Sequence, residues 1–199
     1  NDLLKTIKKD KFNLEKSREQ KTQIITEIES LLKKLYSDKE AIKKREQELE
    51  KIRLEQNQST TGNFAKMKGK LIWPVEGKII TKFGTIRNPQ SGVYIENVGI
   101  DIRASKGSAV KSVLDGVIST ITYIRGYGNV VIIDHGEGYS TVYSQIANIT
   151  INENNYVQMG SIIGYIDSQD DNSHSRLHFE IWGNQKKENP EIWLIKKYD

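Results

Sequence analysis

Cysteine is absent from the 199 residues, which excludes a disulfide framework and thiolate chemistry without choosing a compartment. No apolar run approaches the roughly 20 residues of a membrane span, and no charged n-region leads into an apolar one. The chain opens on Asn1, so any export signal or membrane anchor would lie outside it. Proline is scarce. The three prolines, all 15 glycines and all three tryptophans fall after residue 57, and that composition break marks a boundary. Residues 1–57 carry 15 Lys/Arg against 12 Asp/Glu, and the remainder carries 15 against 14. The basic surplus is therefore slight and mixed in sign. A nucleic-acid surface would need it gathered into a patch, and no patch is visible along the sequence.

What the first part does have is a seven-residue ladder: Ile7, Leu14, Lys21, Ile28, Leu35, Ile42 and Leu49, apolar at six of seven rungs. Ile24, Ile25, Leu31 and Leu32 strengthen the stripe in the middle, while Asp10, Ser17, Asp38 and Arg45 interrupt it towards the ends. The spacing predicts a long helical coiled-coil arm over 1–57, firm centrally and loose at its ends. Such a helix has no place to bury its stripe alone, so a partner helix is expected. The Lys/Glu-rich stretch from Lys39 to Lys51 reads as a solvated face. Residues 58–70, with Ser59, Thr60, Thr61 and Gly62 together, read as a linker.

From Leu71 short β-type runs alternate with glycine-containing turns: Lys78–Lys82, Val110–Val113, Gly116–Tyr123, Asn129–His135, Ser140–Gln145, Ser161–Ile166 and Leu177–Trp182. This is the pattern of an antiparallel, mainly β globular domain over 71–199. Val130-Val131-Ile132-Ile133 is continuously apolar, as expected of a central strand covered on both faces. Gly126, Gly128, Gly136 and Gly138 bracket that strand and the next, where tight turns need positive φ or close backbone approach.

One stretch, about 71–194, carries an ordered series of elements. It runs Trp73-Pro74-Val75, Phe83-Gly84, Gly99-Ile100-Asp101, Asp115-Gly116-Val117 and Gly126-Tyr127-Gly128-Asn129. It continues with Asp134-His135-Gly136, Tyr139-Ser140-Thr141-Val142-Tyr143 and Leu177-His178-Phe179-Glu180-Ile181. The series resembles the LytM or lysostaphin-like zinc endopeptidases, whose antiparallel sheets are of the duplicated-hybrid-motif type. The ending Asn189-Pro190-Glu191-Ile192-Trp193-Leu194, with the N-terminal coil, looks most like the EnvC-type murein amidase activators of that superfamily.

In active members, a His four residues before an Asp, that Asp, and the second His of a His-x-His strand bind zinc, while two further histidines serve the catalytic water and the oxyanion. Catalytic zinc needs three protein ligands and one open position, and it brings the pKa of bound water towards about 7. Here Asp101 and His178 match two ligands, but the third position is Asn97, a poor ligand. The remaining histidine positions hold Gln145 and Arg176. Gln cannot be a general base near neutral pH, and Arg stays protonated. The resemblance thus implies a degenerate, non-catalytic member with no metal and no cofactor.

His135 is read as a structural turn residue. His174, four before His178, would sit roughly 13 Å away along a strand, too far to share a metal. The acidic stretch Asp167 to Ser175, with Asp170 and Asp171, reads as a solvated loop rather than a calcium loop.

An inactive hydrolase groove can still bind. The resemblance implies an extracytoplasmic protein, periplasmic in a Gram-negative bacterium, that binds and activates a peptidoglycan amidase during division or envelope remodelling. Its coil would connect to a membrane division complex, and a neighbouring helix would shield the groove. The partner-binding rim is expected at Asn97, Arg125 and Tyr127, at Tyr143 and Gln145, and at Arg176 and His178. Arg176 is expected to stand in for the missing zinc charge beside Asp101. The alternatives are an envelope scaffold or peptidoglycan-binding protein, and an active zinc endopeptidase.

Overall fold

The structure is a computed structural model that describes residues 2–37, 43–44, 47–48, 51–52, 64–87, 92–166 and 175–197. The helix α1 (Asp2–Ser37) leads into strands β1 (Lys78–Thr81), β2 (Gly84–Arg87), β3 (Tyr94–Asn97) and β4 (Ile100–Arg103). Then follow β5 (Ala109–Lys111), β6 (Gly116–Ile124), β7 (Gly128–Gly136) and β8 (Tyr139–Ala147). The chain closes with β9 (Tyr156–Val157), β10 (Ile162–Ile166), β11 (Arg176–Gly183) and β12 (Lys186–Glu188).

Ten of these strands form one sheet with the order β1-β4-β11-β8-β7-β6-β9. To it β10 and β5 attach through β8, and β12 through β11, while β2 and β3 pair as a separate hairpin. All pairings between these strands are antiparallel. The β-rich domain expected from the spacing is therefore present.

The run Val130 to Ile133 shows why β7 is central. Val131 and Ile133 face a first core with Ile100, Ile102, Phe179 and Ile181. Val130 and Ile132 face a second core with Ile124, Val142 and Trp182. Successive strand residues point to opposite faces, so an unbroken apolar run demands cover on both.

The cover of the second face is α1. Ile24, Ile28 and Leu32 are buried at 7%, 1% and 2% exposure against that core. Their spacing of four residues places them on one side of the helix, and each such burial is worth about 1.5–3 kcal/mol. This corrects the expectation of a partner helix: the domain's own sheet takes the middle of the stripe. The N-terminal half differs, since Leu4, Ile7 and Phe12 stand exposed. Ile42 and Leu49 lie outside the described residues, as does the side chain of Leu35.

The packed domain also begins earlier than the composition suggested. Residues Phe64–Met67 form a 3-10 turn, and Phe64 is fully buried, stacked on Tyr139 at 4.8 Å. The stretch read as linker therefore ends by Phe64, and residues 58–63 lie outside the described residues. No helix among the described residues is long and apolar enough to cross a membrane.

Candidate functional site

The expected site residues come from five elements, of which β8 carries Tyr143 and Gln145. β3 ends on Asn97, β4 carries Asp101, β11 carries Arg176 and His178, and the β6–β7 turn supplies Arg125, Gly126 and Tyr127. In the β4–β11 ladder His178 lies directly opposite Asp101. Period-two alternation sets Arg176, His178 and Glu180 on one face of β11.

The buried centre is a chain of charge-assisted hydrogen bonds. His178 Nδ1 lies 2.7 Å from Asp101 Oδ1, and Nε2 lies 3.0 Å from Glu180 Oε1. Trp182 Nε1 donates to Glu180 Oε2 at 2.7 Å. Burial alone would discharge His178, but its bonds to the two carboxylates prevail and raise its pKa to about 9. The ring is an imidazolium at neutral pH with both nitrogens donating. Burial likewise opposes the Asp101 charge, yet the hydrogen bond and charge of His178, with the nearby Arg176 charge, hold it well below the usual carboxylate range. Tyr127 sets its ring edge-on to His178 at 4.9 Å. Burial first, and the Glu180 and Asp101 charges second, push the Tyr127 hydroxyl pKa up.

These contacts test whether zinc fits. Two ligands of one tetrahedral zinc with bonds of 2.0–2.1 Å stand about 3.3 Å apart. Asp101 and His178 are instead joined directly, and the second ring nitrogen is taken by Glu180. Asn97 turns its amide nitrogen to Lys82 O and Gly99 O, at 3.0 and 2.9 Å. The donor atoms are committed to each other and to the backbone, so the residues do not fit the ion.

Arg176 does not bridge to Asp101 by a hydrogen bond, contrary to expectation. Its Nε donates to Gln145 Oε1 at 3.0 Å, and its effect on Asp101 is through charge. The cation beside Asp101 is the protonated ring of His178.

Gln145 reaches the groove through a β-bulge. In the β7–β8 ladder Asn129 pairs with Ile146 and Val130 with Ser144, leaving Gln145 as the extra residue, with φ 68°. Its N–H donates to Tyr127 O at 2.8 Å. The bulge breaks the alternation that set Tyr143 and Gln145 on one face. Tyr143 is consequently not a rim residue. It is fully buried in the first core, accepts a hydrogen bond from Val113 N at 3.0 Å, and burial pushes its hydroxyl pKa up to about 12. His135 is also remote from the groove, buried between Asp115 O and Thr141 Oγ1 at 2.8 and 2.7 Å. His174, Asp170 and Asp171 lie outside the described residues.

The groove is roofed by α1. A cavity of about 590 Å³ is lined by Asn97, Asp101, Arg125, Tyr127, Gln145, Arg176 and His178 from the β domain, and by Ser17, Gln20, Lys21 and Ile24 from the helix. At Gly126 a Cβ would stand 2.7 Å from Ile24 Cδ1, and φ is 90°. Glycine lets turn and helix touch there. Lys187 ties the far end, with Nζ 2.5 Å from Glu29 of α1 and 3.7 Å from Glu96 of the hairpin.

A helix over the groove was expected, but two features escaped the sequence reading: the role of Glu180, and that residues 17–24 of α1 supply the covering face. A carboxylate inside the apolar strand Leu177 to Trp182, two residues after a histidine, was the available signal, because a buried charge needs a partner on its own face.

Residues 96–190 match the family described as Peptidase family M23. Murein hydrolase activator NlpD of Escherichia coli is 39% identical over 126 residues, which cover 63% of this chain and 31% of that protein. Murein hydrolase activator EnvC of Escherichia coli is 29% identical over 136 residues, covering 68% and 32%. This chain thus spans about a third of the length of the curated relatives it matches. Among solved structures, Csd3 of Helicobacter pylori superposes with a TM-score of 0.55 at 27% identity, covering 64% of this chain and 35% of that one. The antiparallel sheet and the groove set on β4 and β11 thus lie in the stretch, residues 96–190, that matches Peptidase family M23 and has a LytM-like fold.

Proposed function

We propose that this chain is a non-catalytic regulator of cell-wall hydrolysis that binds and activates a peptidoglycan amidase through its groove. The observation that carries this reading is the Asp101–His178–Glu180 chain, in which the atoms that would hold and polarise a metal-bound water are committed to each other. A groove so arranged can bind a protein segment, and among the described residues that line it none is left free to activate water. The murein hydrolase activators NlpD and EnvC among its relatives support the same role, and with it an extracytoplasmic, periplasmic setting.

In this reading α1 occupies the groove at rest, and the partner gains access when the helix moves. The exposed Leu4, Ile7 and Phe12 would then meet a coiled-coil partner in a membrane division complex. Amidase turnover on purified peptidoglycan tests both halves. The Ile28→Asp chain should stimulate an amidase more than the unmodified chain, and neither should release fragments alone. Zinc-dependent cleavage by the chain itself would sink the proposal, as would an amidase unaffected by both forms.

A further inference from the structure

The lysines that show no patch along the sequence are gathered by the fold at the place where the chain enters and leaves the sheet. Leu71 and Leu194 form a parallel bridge and point into the first core. Their successors differ: Ile195 stands exposed, while Ile72 is half-buried and packs on the edge of that core. The turn from Met159 to Ile162 lies against Ile72, since a Cβ at Gly160 would stand 4.0 Å from Ile72 Cδ1. Ile195, Met159 and Ile162 are 45%, 46% and 41% exposed, more than stray apolar residues in one place.

Cations stand around this apolar group. Residues 64–78 and 190–197 contain six lysines against two acidic residues. Lys68, Lys70 and Lys196 are exposed, and so is Lys111, opposite Ile162 in the β5–β10 pair. Lys197 is held in place, its Nζ donating to Gly77 O at 2.8 Å and lying 3.9 Å from the centre of the Trp73 ring. The Trp73 Nε1 donates to Ile195 O at 2.8 Å.

We propose that this surface docks on an anionic lipid bilayer, with Met159, Ile162 and Ile195 at the acyl boundary and the lysines among the headgroups. Isoleucine and methionine inside a lysine ring suit an interface that is apolar below and anionic above. A polyanion such as peptidoglycan or nucleic acid would use the lysines and leave the apolar group in water. The surface is built on segments that close the first core, whereas the groove opens at the second. The inference therefore stands apart from the amidase reading.

Flotation of the full chain with vesicles of equal parts phosphatidylcholine and phosphatidylglycerol, against pure phosphatidylcholine, tests it at low salt. The chain should float with the anionic vesicles only. Lys68→Gln with Lys196→Gln should lower the partition about 25-fold, because each lysine near an anionic surface is worth about fivefold. Ile195→Ser should lower it as well without altering the salt dependence, and circular dichroism verifies the fold of both variants. Absence of flotation with anionic vesicles overturns the proposal. So does flotation indifferent to both variants, or binding to lipid-free sacculi that the lysine pair abolishes and Ile195→Ser leaves intact.

Discussion

His178 faces Asp101 across the β4–β11 pair, with its Nδ1 2.7 Å from the carboxylate, so the two residues that match zinc ligands by resemblance are joined directly to each other. The centre is consequently governed by pH. His178 has a folded pKa near 9 against an ordinary 6.5, and Asp101 is held below its ordinary 3.8. The histidine contribution is complete below about pH 6.5 and is lost as pH rises through 9, because the folded state then binds more protons than the unfolded one. The aspartate contribution is present above about pH 4 and is lost on acidification. Urea unfolding should show greatest stability between about pH 4 and 6.5, with a loss of order 3 kcal/mol by pH 9. In His178→Gln the alkaline limb should flatten, and an unchanged limb would assign it to another group.

The pairing also predicts a hierarchy of couplings. A double-mutant cycle on Asp101→Asn and His178→Gln should yield roughly 2–4 kcal/mol, since both charges are buried. The corresponding cycle with Arg176→Met should yield under about 1 kcal/mol, because Arg176 is partly exposed and bonded to Gln145. A larger value for the arginine cycle would make Arg176 the true counter-cation.

Zinc incubation should leave the chain with a metal content far below one ion per molecule, because binding would first have to break the Asp101–His178 and His178–Glu180 contacts. Elemental analysis after removal of free metal decides this. A ratio near one would restore the peptidase reading.

Sequence reasoning located Asp101 and His178 because the order of the motif carries them, and it found β7 because four apolar residues in succession admit few other meanings. It passed over β2, β3, β4, β9 and β12, each two to four residues long and too short for an alternation such as Ile100-Asp101-Ile102-Arg103 to stand out. Tyr143 was misplaced for a related reason. A bulge adds one residue without a composition signal, so alternation counted through Gln145 puts Tyr143 on the wrong face. The heptad ladder identified which side of α1 is apolar. What covers that side depends on which surface lies nearby, and here a sheet with Val130, Ile132 and Trp182 bare on one face was the nearest.

Placing a carboxylate in that contact should detach the helix. In Ile28→Asp, the loss of a fully buried side chain and the burial of a charge together oppose docking by about 3 kcal/mol or more. Protease should then cut within α1 at rates well above those for the unmodified chain, while the fragment from Phe64 onward stays resistant. Equal cutting of both proteins would mean that Ile24 and Leu32 hold the helix without Ile28.

Because β7 is paired along both edges by β6 and β8 and sealed on both faces, its amide protons have no local route to solvent. Release of α1 bares one face but leaves both ladders intact. The helix can therefore come and go as a separate cooperative unit, at less than the free energy of global opening. In a hydrogen–deuterium exchange map, the amides of α1 would label within the lifetime of its release, while those of Val131 and Ile132 would wait for the whole sheet to unfold.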